Sequence, residues 1–143
     1  MHETVNRRGN MLTSSLFNGM PYAGDSAVIP VKMHLYIQAL AFVQGLSLRA
    51  GYEDCATRFL AEEAWEKGLQ WRDGRRPATS DPDWQTVQVR LPSELADRLV
   101  VVSQQQRISL PDVLYTMLYW YAWILYPPLS EQERRKSLRE TVQ

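Results

Sequence analysis

Residues 84–126 read WQTVQVRLPSELADRLVVVSQQQRISLPDVLYTMLYWYAWILY, and a change of period inside this stretch decides the fold. It opens with alternation. Val87, Val89 and Leu91 fall on one face and Thr86, Gln88 and Arg90 on the other, the period of a half-buried strand. Leu95, Leu99 and Val102 then recur at helical spacing, with Glu94, Asp97, Arg98 and Gln105 mostly off that stripe. Pro92 falls at the hand-over, where its missing N–H is tolerated. After Gln104-Gln105-Gln106-Arg107 the pattern breaks. Ser109, with Asp112 three residues on, approximates a capping box and opens a second helix. That helix runs through Val113, Leu114, Met117, Leu118, Tyr121 and Leu125 until Pro127-Pro128 stops it. The order is strand, helix, polar turn, helix.

Working outward, residues 28–71 repeat this order more faintly. Val31, Met33 and Leu35 alternate with Lys32 and His34, which predicts a strand over residues 28–35. Ala39, Leu40, Val43 and Leu46 follow at helical spacing. Gly51 punctuates, Glu53 and Asp54 fall where a second helix is expected to begin, and Ala56, Phe59, Leu60 and Ala64 continue it towards Gly68 and Trp71. Residues 72–83 (RDGRRPATSDPD) are linker by composition. Residues 1–27, rich in Asn and Gly without a sustained period, read as a flexible arm carrying Arg7 and Arg8. Residues 129–143 read as a charged tail helix, with Ser130 and Glu133 as a capping box.

The totals narrow the function. The chain of 143 residues has 45% apolar residues and no net charge. A packed core is therefore expected, and a generic nucleic-acid coat is not, because nonspecific affinity comes from Lys and Arg neutralising phosphates. A single cysteine, Cys55, excludes an internal disulfide and points to a reducing, cytoplasmic setting. Arg7-Arg8 is not followed by a sustained apolar run, so no twin-arginine leader is expected. The apolar run from Leu114 is too short, and too soon ended by prolines, for a membrane span. There is no HExxH, CxxC, phosphate-cradling glycine loop or GxSxG. No enzyme, metal site or cofactor is expected.

The strand "VQVRLP", the helix start "SELADRL" and, after a break, "ISLPDVL" resemble the MetJ/Arc/CopG-like ribbon-helix-helix superfamily of DNA-binding proteins. In that family two strands pair antiparallel in the major groove and read bases with their outward side chains. The resemblance implies base readers at Thr86, Gln88 and Arg90, with the start of the second helix, at Ser109 and Leu110, facing a phosphate. Arg7 and Arg8 are further phosphate candidates. Matching the first unit to the second adds Lys32 and His34 to the readers. Arg bound bidentately to guanine and Gln to adenine each discriminate by about 1–3 kcal/mol.

A unit of about 45 residues buries too little apolar surface to stand alone. The expectation is thus a mainly α fold with a short two-stranded antiparallel ribbon, an α+β chain. Its two units, 28–71 and 84–128, form an intramolecular pseudo-dimer. This tandem arrangement resembles TraY-type conjugation proteins and the enhancer of T-DNA transfer. It implies a repressor or nucleoprotein-complex accessory factor of a mobile element, binding an asymmetric site on double-stranded DNA. The alternative is a protein-interaction, adaptor or antitoxin-like module on the same scaffold. Its contacts would be the aromatic helix (Tyr115, Tyr119, Trp120, Tyr121, Trp123) or the tail. A homodimer built from residues 84–126 alone is a third arrangement.

Overall fold

A computed structural model describes residues 2–5, 11–17, 20–73 and 81–142, with side-chain surroundings for 23–73 and 81–141. The chain is mainly helical with one antiparallel sheet. In order the elements are β1 (His2–Val5), β2 (Met11–Phe17), β3 (Met20–Pro30), α1 (Val31–Val43), α2 (Leu48–Glu62), a 3-10 turn (Ala64–Glu66), β4 (Trp84–Pro92), α3 (Ser93–Gln106), α4 (Leu110–Tyr119), a π-helical turn (Trp120–Leu125) and α5 (Leu129–Val142). The sheet order is β1-β2-β3-β4.

β4, α3 and the start of α4 lie where the period of residues 84–126 puts them, but α4 ends at Tyr119 and the expected continuation to Leu125 is π-helical. β3 and β4 pair antiparallel over their whole common length, from Tyr22 opposite Pro92 to Pro30 opposite Trp84. β2 covers only the first part of β3, from Met20 to Gly24. The sheet therefore has two paired strands at the end holding residues 25–30 and 84–89; four lie abreast at Gly24 and Ala23, and three at Tyr22. The segment expected to be a flexible arm supplies these added strands; Thr4 and Val5 on β1 face Leu12 and Met11 on β2. Pairing partners, rather than a periodic apolar pattern, define such strands.

The strand expected over residues 28–35 is corrected. Strand ends at Pro30 and helix begins at Val31. Five alternating residues fit either period, and burial chooses the helix: Met33, Tyr36, Ile37, Leu40 and Ala41, at helical spacing, face the core. Leu35, Phe42 and Val43 are exposed, so α1 is apolar nearly all round and announces no amphipathic stripe. The second helix of this half also starts earlier than Gly51. Ser47 caps α2, its Oγ accepting from the Ala50 N–H at 3.1 Å. Gly51 is buried inside α2, where a Cβ would press on Ala41 Cβ at 3.2 Å, so it permits close approach of α1 rather than ending a helix. Glu53, Asp54 and Cys55 lie within α2, not at its start.

With these corrections three landmarks of the two strand–helix–helix segments fall at the same spacing. Pro30 and Pro92 end the strands; Gly45 (φ 73°) and Arg107 (φ 57°) take left-handed backbone after α1 and α3; Ser47 and Ser109 cap α2 and α4. The spacing from proline to capping serine is the same in both. Counting back equally from each proline reaches Ser26 and Gln88, which are partners in the sheet. Positions equally spaced from the two prolines thus meet at the centre of the β3–β4 pair.

The core lies between the sheet's inner face and the helices. Ala23, Ala27, Ile29, Val87, Val89 and Leu91 pack with Phe59, Leu99, Val113, Met117 and Leu118. Asp54 joins two elements: it accepts from Tyr121 Oη at 2.8 Å and pairs with Arg58 at 3.1 Å. α5 begins at Leu129, which puts Ser130 inside its first turn rather than at the cap. Glu131, held by Arg134 and Arg135 at 2.6 and 2.9 Å, is the acid of that turn. These arginines hold its carboxyl down at about 2. Of the linker, residues 74–80 fall outside the described residues, and the turn before β4 ties Asp83 O to the Val31 N–H at 2.9 Å.

Candidate nucleic-acid interface

In an antiparallel pair, directly opposed residues share a face. The register therefore places Thr86 beside Val28, Gln88 beside Ser26 and Arg90 beside Gly24. Val87, Val89 and Leu91 point the other way and are buried. Thr86 and Gln88 are exposed and Arg90 half-exposed, so no helix covers this outer face at its two-stranded end. The three residues expected from β4 stand together.

Lys32 and His34 do not join them. Both lie on α1. Lys32 is exposed and lines an apolar cavity. His34 is half-buried with Nδ1 buried and without a hydrogen-bond partner, and desolvation lowers its pKa. Their place on the outer face is taken by Ser26 and Val28. The sequence held a signal for this: the shared proline, and the similar runs Gly45-Leu46-Ser47-Leu48 and Arg107-Ile108-Ser109-Leu110 at equal spacing.

Ser109 caps α4 by accepting from the Asp112 N–H at 3.3 Å. Leu110 is 3% exposed, so its side chain belongs to the core and only its backbone faces the helix end. Pro111 removes one donor from that end and Asp112 places an acid there. The equivalent end of α2 carries Arg49 and no acid in its first turn. Glu53 and Asp54, a turn further into α2, therefore do not place an acid at that end. The amides and dipole of a helix N-terminus favour anions. Arg7 and Arg8 lie outside the described residues.

Cys55 is fully buried, its Sγ 3.5 Å from Met117 O, and burial followed by the neighbouring Asp54 pushes its thiol pKa well up. A thiol so placed is a poor nucleophile. Among the described residues no cluster of His, Cys, Asp and Glu could hold a metal ion, and no helix is long and apolar enough to cross a membrane. Compared with protein-family models, curated proteins and solved structures, the chain finds no match.

Proposed function

We propose that the chain is a single-chain ribbon-helix-helix pseudo-dimer that binds double-stranded DNA sequence-specifically. It would act as a repressor or as an accessory factor of a nucleoprotein complex, of the kind mobile elements use, and without catalysis. The observation that carries this reading is the meeting of Ser26 and Gln88, equally spaced from Pro30 and Pro92, at the centre of a β3–β4 pair whose polar outer face is uncovered. Two strands about 4.8 Å apart, with their side chains, fit a major groove about 12 Å wide; four strands abreast do not. The two-stranded end, with Ser26, Thr86 and Gln88, is therefore the part that enters the groove, and Arg90 reads at its margin. The start of α2, with Ser47 and Arg49, supplies a phosphate contact more readily than that of α4. The two strands present different side chains, so the site is asymmetric.

Selection from random duplexes by the full chain, followed by titration in salt, tests this. An enriched asymmetric site and affinity falling steeply with salt are expected. Gln88→Ala and Arg90→Ala relax specificity, whereas Lys32→Ala leaves it unchanged. Failure to enrich any sequence overturns the reading.

A second reading, a protein-interaction module on this scaffold, is supported by the outer face of α1, where Phe42 and Val43 are 84% and 81% exposed. Exposed apolar residues grouped on one helix mark contact surfaces. Salt-independent association with a protein in place of duplex binding would favour it.

A further inference from the structure

Where β3 runs into α1, the fold leaves a cavity of about 570 Å³ between α1, α4 with its π-helical turn, and the chain around Arg72. Its walls are the rings of Tyr36, Tyr115, Tyr119 and Trp123; its charges are Lys32 and Arg72. No carboxylate is found among the described residues that line it. Tyr36 donates its hydroxyl to Tyr126 O at 2.6 Å, so that hydroxyl is already engaged. Arg72 is held in place: its N–H donates to Thr116 Oγ1 at 3.0 Å and its guanidinium lies over Tyr119, 4.0 Å from the ring centre. Trp123 comes from the π-helical turn, and such turns inside helices concentrate at functional sites. Concave, apolar sites of about 300–1,000 Å³ with a few placed polar groups are those that take small molecules.

The duplicated scaffold offers an internal control. Counting by the same correspondence, Lys32 answers to Glu94, Tyr36 to Arg98, Tyr115 to Glu53 and Tyr119 to Thr57. The fold therefore does not require these aromatic walls, or a cation at the place of Lys32; the matching place between α3 and α2 has other residues. We infer that the cavity between α1 and α4 is a binding site for a small organic anion with a flat aromatic body. The rings would stack on the body, and Lys32 and Arg72 would hold the charged group at the mouth. This inference is independent of the DNA-binding reading.

The test uses the full chain with 2-naphthoate and its neutral isostere 2-naphthamide, followed by titration calorimetry and by the NMR shift of the Trp123 indole N–H. One equivalent of naphthoate is expected to bind below about 1 mM and about tenfold more tightly than the amide. Lys32→Glu, an exposed change that installs the residue of the other half, weakens naphthoate by about tenfold and leaves the amide within about twofold. Arg72→Gln weakens naphthoate in the same direction. Equal affinity for the two probes, no response to Lys32→Glu in a variant with unchanged circular dichroism, or no binding at about 1 mM overturns the inference.

Discussion

Removing the hydroxyl of Ser47 separates the structure from the plainer reading of the sequence. Ser47 Oγ accepts from the Ala50 N–H at 3.1 Å and Ser109 Oγ from the Asp112 N–H at 3.3 Å. Replacing an N-cap serine by alanine costs about 0.5–2 kcal/mol. Both serines are exposed, so water takes over part of the freed donor, and about 0.5–1 kcal/mol each is expected. The two caps serve different helices and share no hydrogen-bond partner, so the double variant costs about 1–2 kcal/mol. For a chain of this size that lowers the melting temperature by about 3–6 °C. The residues two places earlier add a signed control. Gly45→Ala forces a side chain into left-handed backbone and destabilises by about 1 kcal/mol, whereas Arg107→Gly relieves that conformation and is stabilising or neutral. Urea unfolding at pH 7, followed by circular dichroism, measures all five variants. If Ser47→Ala leaves the midpoint unchanged while Ser109→Ala lowers it, α2 does not begin at Leu48 and the equal spacing of the two caps fails.

Phe59 is fully buried, with the rings of Trp65, Trp71 and Trp120 5.1–6.2 Å away. Phe59→Ala should cost about 3–5 kcal/mol and shift tryptophan emission to the red, whereas retention of the native melting temperature would contradict that packing. Asp25 sits on the inner side of β3, where desolvation raises its pKa above 3.8. A raised carboxyl pKa means that the native state holds its proton more tightly than the unfolded chain. Asp25 therefore costs stability at neutral pH, and the cost fades as pH falls through the raised value towards 3.8. Asp25→Asn should melt higher than the parent at pH 7 and lose that advantage near pH 4; an advantage independent of pH would refute the assignment. His34 acts with the opposite sign. Its lowered pKa keeps it neutral in the fold, so stability is lost as pH drops below 6.5, and His34→Ala should reduce that loss in melts taken between pH 7 and pH 5.

The outer face of β4 was legible because its alternation is local. Thr86, Gln88 and Arg90 needed only a buried partner face to be placed, and Val87, Val89 and Leu91 announce one. The partner strand was not legible in the same way. Lys32 and His34 alternate with Val31, Met33 and Leu35 as convincingly as any strand, yet they are helical, and Ser26 stands opposite Gln88 instead. The cavity beside Lys32 joins residues from α1, the chain at Arg72 and the π-helical turn, which no single periodicity connects.

The sequence by itself determined β4, α3, the start of α4 and the stops at Pro92 and Pro127. Those follow from side-chain spacing along one segment, where burial imposes a period of two or of 3.6. Only the tertiary structure decided the extent of β3, the helical state of α1, the cap at Ser47 and the two strands added at the sheet's edge. There several local conformations were open to the same residues, and the choice fell to partners distant in the chain: the pairing with β4, the close approach of Gly51 to Ala41, and the core that Met33, Ile37 and Ala41 fill.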